Sequence, residues 1–138
     1  MTRLSRWLAP LVLMAVIFFL SAQPDLSSGL GIIDLVGRKV VHAGEYALLC
    51  GLWWRALRTV ACPRAALTGA FAIAVAYAAT DELHQTFVPG RTGSPVDVGI
   101  DTLGAALAVI AIRRRLARQL PEGGRSADSE SSPRRRLA

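Results

Sequence analysis

Residues 96–115 read VDVGIDTLGAALAVIAIRRR, and this stretch decides the fold. Eleven uncharged residues separate Asp101 from Arg113. At 1.5 Å per helical residue they are too short for the roughly 30 Å of hydrocarbon in a bilayer. A membrane-crossing helix here must reach back through Asp101 towards Asp97, so both carboxylates become residues of the span. Charge inside hydrocarbon is costly, and a group kept there usually faces a bundle interior, a cavity or a partner. The stretch therefore implies a helical membrane domain with a polar site built into it.

Three further apolar segments extend this reading. Residues 7 to 21 form a first span behind Arg3 and Arg6; bulky Leu20, where signal cleavage after Ala22 would need a small residue, favours an uncleaved helix. Residues 23 to 39 read as a connection. Pro24, Asp25, Ser27, Ser28 and Gly29 break the first helix, and Leu30, Ile32, Ile33, Leu35 and Val36 suit a short amphipathic turn at the interface. A second span covers about residues 40 to 57, and a third runs from Arg64 to the region of residues 81 to 84 after a tight link at Cys62-Pro63. The turn-rich loop of residues 88 to 95 precedes the fourth helix, which starts near Val96. The expected fold is all-α: a four-helix transmembrane bundle with a short extracytoplasmic interfacial segment. Residues 1–118 form the membrane domain, and residues 119–138 a disordered basic cytoplasmic tail without the apolar residues needed to fold.

Composition agrees: the 138 residues are 52% hydrophobic and 19% charged, with a mean hydropathy of +0.38. A soluble bundle would need polar faces that residues 8–20 and 65–80 do not offer. Of the net charge of +6, residues 113–138 carry +5, with eight Arg and three acids, and Arg just beyond a span is explained by membrane topology without a nucleic-acid partner. Nine basic residues fall on one side of the spans (Arg3, Arg6, Arg55, Arg58, Arg64, Arg113, Arg114, Arg115, Arg118) and three on the other (Arg38, Lys39, Arg91). That asymmetry predicts a multi-pass protein of the bacterial cytoplasmic membrane with both termini in the cytoplasm. Cys50 and Cys62 have no local His or acid, so they form neither a metal knuckle nor a disulfide framework.

With the spans drawn in this way, His42, Glu45, Asp81, Glu82, His84, Asp97 and Asp101 converge on the extracytoplasmic side. His42, Glu45, Tyr46, Leu49 and Trp53 follow three- and four-residue steps along one helical face. Glu45 can accept a proton from His42 or share a ligand with it; a packed polar pair is the structural alternative. On the third helix Tyr77, Asp81 and His84 fall near one face, and Glu82 and Gln85 near the adjacent one. Acids at a helix C-terminus oppose the macrodipole, so favourable end charge does not explain them. The sharper expectation is that Asp81, Glu82 and His84 meet His42 and Glu45 in a proton-transfer or metal site. Asp97 sits where an acid suits a helix start, whereas Asp101 is too deep for that role and should face inward. Gly104 with Ala105 and Ala108 allows close helix approach. Arg91 has the fork to clamp a phosphate or a carboxylate.

These residues resemble the VanZ-like family of small bacterial membrane proteins, named for a protein that confers low-level teicoplanin resistance. The resemblance covers roughly residues 7 to 112. Ser21-Ala22-Gln23-Pro24 is similar to the family's S-x-Q-P, and Lys39-Val40-Val41-His42 followed by Glu45-Tyr46 to its K-x-x-H and nearby Tyr. Most specific is DELHQTFVPGR at residues 81–91, which looks like the family's DE-x-x-Q-x-F-x-P-x-R signature. Asp97 and Gly104 also match, while Asp101 stands where many relatives carry Asn. The resemblance implies four helices and adds Gln23, Lys39, Tyr46 and Gln85 to the candidate ligand-binding residues Arg91, Asp97 and Asp101.

Two function classes follow. One is an enzyme, with His42, Glu45, Asp81, Glu82 and His84 as catalytic candidates acting on a phosphate-bearing envelope lipid while Arg91 neutralises the phosphate. A divalent metal could assist, since carboxylate and imidazole suit Zn or Mn. The other is a non-catalytic protein that holds a lipid headgroup, an envelope precursor, a glycopeptide or a membrane-protein partner. Four short helices without an inverted repeat argue against a transporter.

Overall fold

The computed structural model describes residues 3–23, 32–91 and 93–119, and among them the chain is helical with no strand. Four helices follow in order: α1 (Arg3–Ser21), α2 (Ile32–Leu57), α3 (Pro63–Gln85) and α4 (Pro95–Arg118). Pro63 and Pro95 stand in the first turns of α3 and α4, where a missing N–H costs nothing. Ser94 caps α4, its hydroxyl accepting from the Val96 N–H at 3.2 Å. Asp97 and Asp101 are helical residues, as the length of the apolar run requires.

The start of α2 differs from the expectation. Ile32 to Lys39 belong to the first turns of α2 instead of forming a separate interfacial turn. Polar residues at 38 and 39 do not end a helix; they face the interior of the bundle's end, where they have partners. Residues 24–31 of that connection lie outside the described residues, as does the tail beyond residue 119.

α2 is the central helix, packing on α1, α3 and α4; α1 rests on α2 and α3 alone among the described residues. The interior is made of small side chains. Ala66, Ala70, Ala74 and Ala78 repeat every fourth residue of α3, all buried, so that face packs closely. Ala70 and Ala74 pack with Cys50 and Ala105. Nearer the other end, Ile17, Tyr46, Leu49 and Ala78 form a second cluster. Gly104 marks the closest approach: a Cβ there would lie 2.0 Å from the carbonyl oxygen of Ala43. Both cysteines are free, Cys50 buried and Cys62 exposed.

The outer surface is apolar. Leu11, Val12, Val16 and Phe19 of α1, Val40, Val41 and Leu48 of α2, and Leu103, Leu107 and Ile110 of α4 are all exposed. A water-soluble bundle would not spread so many large apolar side chains over its exterior. By length and composition α1, α3 and α4 can each cross a membrane. α2 has the length, about 39 Å at 1.5 Å per residue, but its charged residues are spread along the helix and not gathered at its ends.

Candidate functional site

The start of α2, the end of α3 and the start of α4 meet at one end of the bundle and enclose a cavity of about 220 Å³. Arg38, Lys39, His42, Glu82, Gln85, Arg91, Asp97 and Asp101 line it, with Gly90 and Ile100. The lining has two layers, roughly one helical turn apart. In the outer layer Lys39 of α2 forms an ion pair with Asp97 of α4. In the inner layer His42 Nδ1 lies 3.6 Å from Asp101 Oδ1. Arg38 and Arg91 add two guanidinium groups to the lining.

Burial is most severe for the acids. Asp101 is 0% exposed, Asp81 2%, Glu82 5% and Gln85 6%. Gln85 holds two carboxylates, its Nε2 donating to Asp81 Oδ2 at 3.2 Å and to Glu82 Oε1 at 3.4 Å. Glu82 Oε2 accepts from the Ser94 backbone N–H at 2.8 Å, which ties the loop after α3 to the inner layer. That contact explains Gly93: a Cβ would meet the Glu82 carbonyl oxygen at 2.4 Å, so only glycine lets the chain pass so close. Gly90, at φ +80°, makes the turn that precedes Arg91.

Several buried polar atoms have no hydrogen-bond partner among the described residues: both carboxylate oxygens of Asp101, His42 Nδ1, Asp81 Oδ1, Tyr46 Oη and His84 Nε2. Each such atom typically costs about 1–3 kcal/mol. Ser21 Oγ and the indole nitrogens of Trp53 and Trp54 are likewise without a hydrogen-bond partner among the described residues, but the ionisable side chains His42, Asp81, His84 and Asp101 all fall at one end of the bundle, which marks that end as built for something besides stability.

Of the residues singled out from the sequence, Lys39, His42, Glu82, Gln85, Arg91, Asp97 and Asp101 share the cavity. Asp81 lies behind it, joined through Gln85. Tyr46 is fully buried in the core, 6.3 Å ring to ring from Tyr77. Three more lie away from the cavity. Glu45 is half-buried on α2 and outside the lining. His84 turns to α1 and stacks on Phe18 at 4.3 Å between ring centroids. Gln23 donates to the Phe19 carbonyl at 3.2 Å beyond the end of α1. The five-residue cluster expected from the sequence is thus divided. His42 and Glu82 line the cavity and Asp81 supports it, while Asp101 takes the place foreseen for Glu45 and His84.

The physical reason is helical register. The alanine stripe 66, 70, 74, 78 continues at the same spacing to Glu82, so the face that packs inward delivers Glu82 to the cavity and carries His84 away. Arg38 was missed from the sequence because α2 was expected to begin at residue 40. With the helix starting at Ile32, Arg38 and His42 stand four apart on one face.

The VanZ/LLP1 family model matches residues 6–117. The chain belongs to the VanZ/LLP1 family. The matched stretch contains every residue of the cavity, and three of its helices are long and apolar enough to span a membrane. No protein of curated function and no solved structure matches the chain.

Proposed function

We propose that this VanZ/LLP1 membrane protein holds the headgroup of a phosphate-bearing envelope lipid in the cavity at the extracytoplasmic end of its bundle. One observation carries the reading. Of the twelve basic residues assigned to the two sides, nine follow the positive-inside asymmetry, and the three that oppose it, Arg38, Lys39 and Arg91, are the three that line the cavity. Cations placed against the topology rule and gathered around one cavity are suited to an anionic ligand. The apolar flanks of α2 and α4 leave a lipid tail in hydrocarbon while its head enters from the membrane surface.

In this reading all four helices cross the cytoplasmic membrane, α2 included, with both termini inside. The antiparallel order α2–α3–α4 supports it, since a crossing by α3 and α4 with their short links carries α2 across as well. Hydrolysis of the bound phosphate ester is the second reading, favoured by the unpartnered Asp101 and His42 in the inner layer. A glycopeptide-related ligand or a protein partner has less support, because 220 Å³ suits a headgroup better than either.

Native mass spectrometry of the protein purified from bacterial membranes tests the proposal. A phosphate-bearing lipid is expected at one per chain. Arg91→Lys keeps the charge but loses the planar fork, and Glu82→Gln keeps the volume but loses the charge. Arg91→Lys should reduce lipid occupancy about tenfold or more, since a charge-assisted hydrogen bond contributes roughly 1.5–3 kcal/mol, and Glu82→Gln should change occupancy because its carboxylate helps to set the cavity's field on an anion. Wild-type occupancy in both variants at matched abundance sinks the proposal, and a loss that only tracks lower abundance assigns the residues to a structural network.

A further inference from the structure

We propose that His42, Glu82 and Asp101 form a binding site for one divalent transition-metal ion, of the Zn²⁺ or Mn²⁺ class, beneath the headgroup cavity. Each residue comes from a different helix, α2, α3 and α4, and offers one ligand atom; the three atoms lie within 4.8 Å of one another. This deepens the headgroup reading by naming what lies under the phosphate, but its supporting observations stand without that reading.

The first observation is Asp101. Its side chain is 0% exposed, it lines the cavity, and neither carboxylate oxygen has a hydrogen-bond partner among the described residues. A carboxylate so placed is among the most expensive groups a helix can bury. The second is His42, whose Nδ1 is likewise buried and unpartnered and stands 3.6 Å from Asp101, beyond hydrogen-bond length. Two ligand atoms at that spacing can both reach one ion set to the side of the line joining them, with bonds of about 2.0–2.2 Å.

The third observation is the distribution of charge. Lys39 is taken by Asp97 in the outer layer, Arg38 and Arg91 also line the cavity, and the inner layer itself offers two carboxylates and one imidazole that can ligate an ion directly. An ion of charge +2 neutralises both acids and completes the valences of all three side chains. It would also remove the negative charge of the inner layer, which would otherwise repel a phosphate above it.

The donor set selects the kind of ion. Mg²⁺ and Ca²⁺ favour oxygen ligands alone, whereas an imidazole with two carboxylates suits Zn²⁺, Mn²⁺ or Fe²⁺ and leaves positions for water or a phosphate oxygen. Metal–ligand bonds of about 2.0–2.2 Å put the ligand atoms of a tetrahedral site about 3.3–3.6 Å apart; His42 and Asp101 already stand at 3.6 Å, and a side-chain adjustment of about 1 Å brings in the third ligand. Groups that would hold a ligating carboxylate in place are already present. Glu82 is oriented by the Ser94 amide and by Gln85, the kind of support that ligating carboxylates usually have.

The test uses the full chain in detergent, tag removed and the exposed Cys62 changed to Ser so that its thiolate cannot hold the ion. After chelation and dialysis, Zn²⁺ is added and metal per chain is measured by native mass spectrometry. Co²⁺ is then added separately and its visible absorption recorded. One Zn²⁺ per chain is expected, together with a Co²⁺ spectrum of low-coordinate nitrogen–oxygen type. Asp101→Asn and His42→Gln should each weaken Zn²⁺ by more than the roughly 10–100-fold that outer-shell changes cost. If a variant fails to fold, the Co²⁺ spectrum of the Cys62→Ser chain with its three ligands intact still decides the matter. No stoichiometric Zn²⁺, or Zn²⁺ retained at full affinity by folded Asp101→Asn, overturns the proposal. Arg91→Lys separates the two readings: metal retained with lipid lost supports both, while lipid bound with no metal in the wild type removes the metal alone.

Discussion

Replacing Gly104 with alanine should unseat α4 from α2, and the structure supplies the size of the effect. The added Cβ would lie 2.0 Å from the Ala43 carbonyl oxygen, 2.7 Å from its carbonyl carbon and 2.8 Å from its Cα. All three are backbone atoms, so no side chain can swing aside. Ordinary C···O contacts need about 3.3 Å, which requires the helices to part by roughly 1 Å or more across their most extensive interface. Overpacking of this kind costs about 1–3 kcal/mol. Alanine also favours the helix by up to about 1 kcal/mol over glycine, and this would blur the result of one variant alone. Gly99 on the same helix removes the ambiguity, because a Cβ there meets nothing within 4 Å. The propensity gain cancels between Gly104→Ala and Gly99→Ala, and the difference between them is the packing term. Equilibrium unfolding in mixed micelles, followed by the fluorescence of Trp53 and Trp54 that pack beside Ala105, should place Gly104→Ala about 1–3 kcal/mol below Gly99→Ala. Equal stability of the two would refute the close approach of α2 and α4, and with it the distances in the inner layer.

The tether of α1 can be tested separately. Tyr77 donates from its hydroxyl to the Met14 carbonyl at 2.6 Å, so Tyr77→Phe should cost about 0.5–1.5 kcal/mol and speed hydrogen exchange in α1 while α2–α4 keep their protection; unchanged exchange in α1 would mean that the bond carries no weight. For topology, Cys62 at the α2–α3 link is exposed and should resist a membrane-impermeant maleimide in intact cells, whereas Phe87→Cys in a Cys62→Ser background, on the side chain that is 78% exposed after α3, should react. The reverse pattern would put the cavity on the cytoplasmic face.

The fold was legible in the sequence where length and hydrophobicity act together. The eleven-residue gap between Asp101 and Arg113 required α4 to include its carboxylates, and the structure places Asp97 in its first turn and Asp101 at full burial. What sequence could not resolve was azimuth. Asp81 and Glu82 are neighbours about 100° apart on a helix, and polarity alone does not say which of them faces a cavity. The answer lay in residues with no chemistry of their own, the alanines at 66, 70, 74 and 78. Their spacing identifies the packed face and points it at Glu82. The start of α2 was obscured for the opposite reason: Arg38 and Lys39 look like the end of a polar connection until their position in the cavity is known.

Glu82 links the two layers, and this governs how its variants are to be read. Its Oε2 accepts from Ser94 at the cap of α4, and Gly93 passes against its carbonyl oxygen. The loop bearing Arg91 is therefore held by the same residue that contributes a carboxylate to the inner layer. Alanine at this position would release the loop and remove the charge together, and its phenotype would assign neither role. Glutamine separates them. Its carbonyl oxygen can still accept from Ser94, so Arg91 keeps its place, while the negative charge beside His42 and Asp101 is gone. A loss of ligand in Glu82→Gln with the bundle's stability intact then belongs to the charge, because the structural bond survives the substitution.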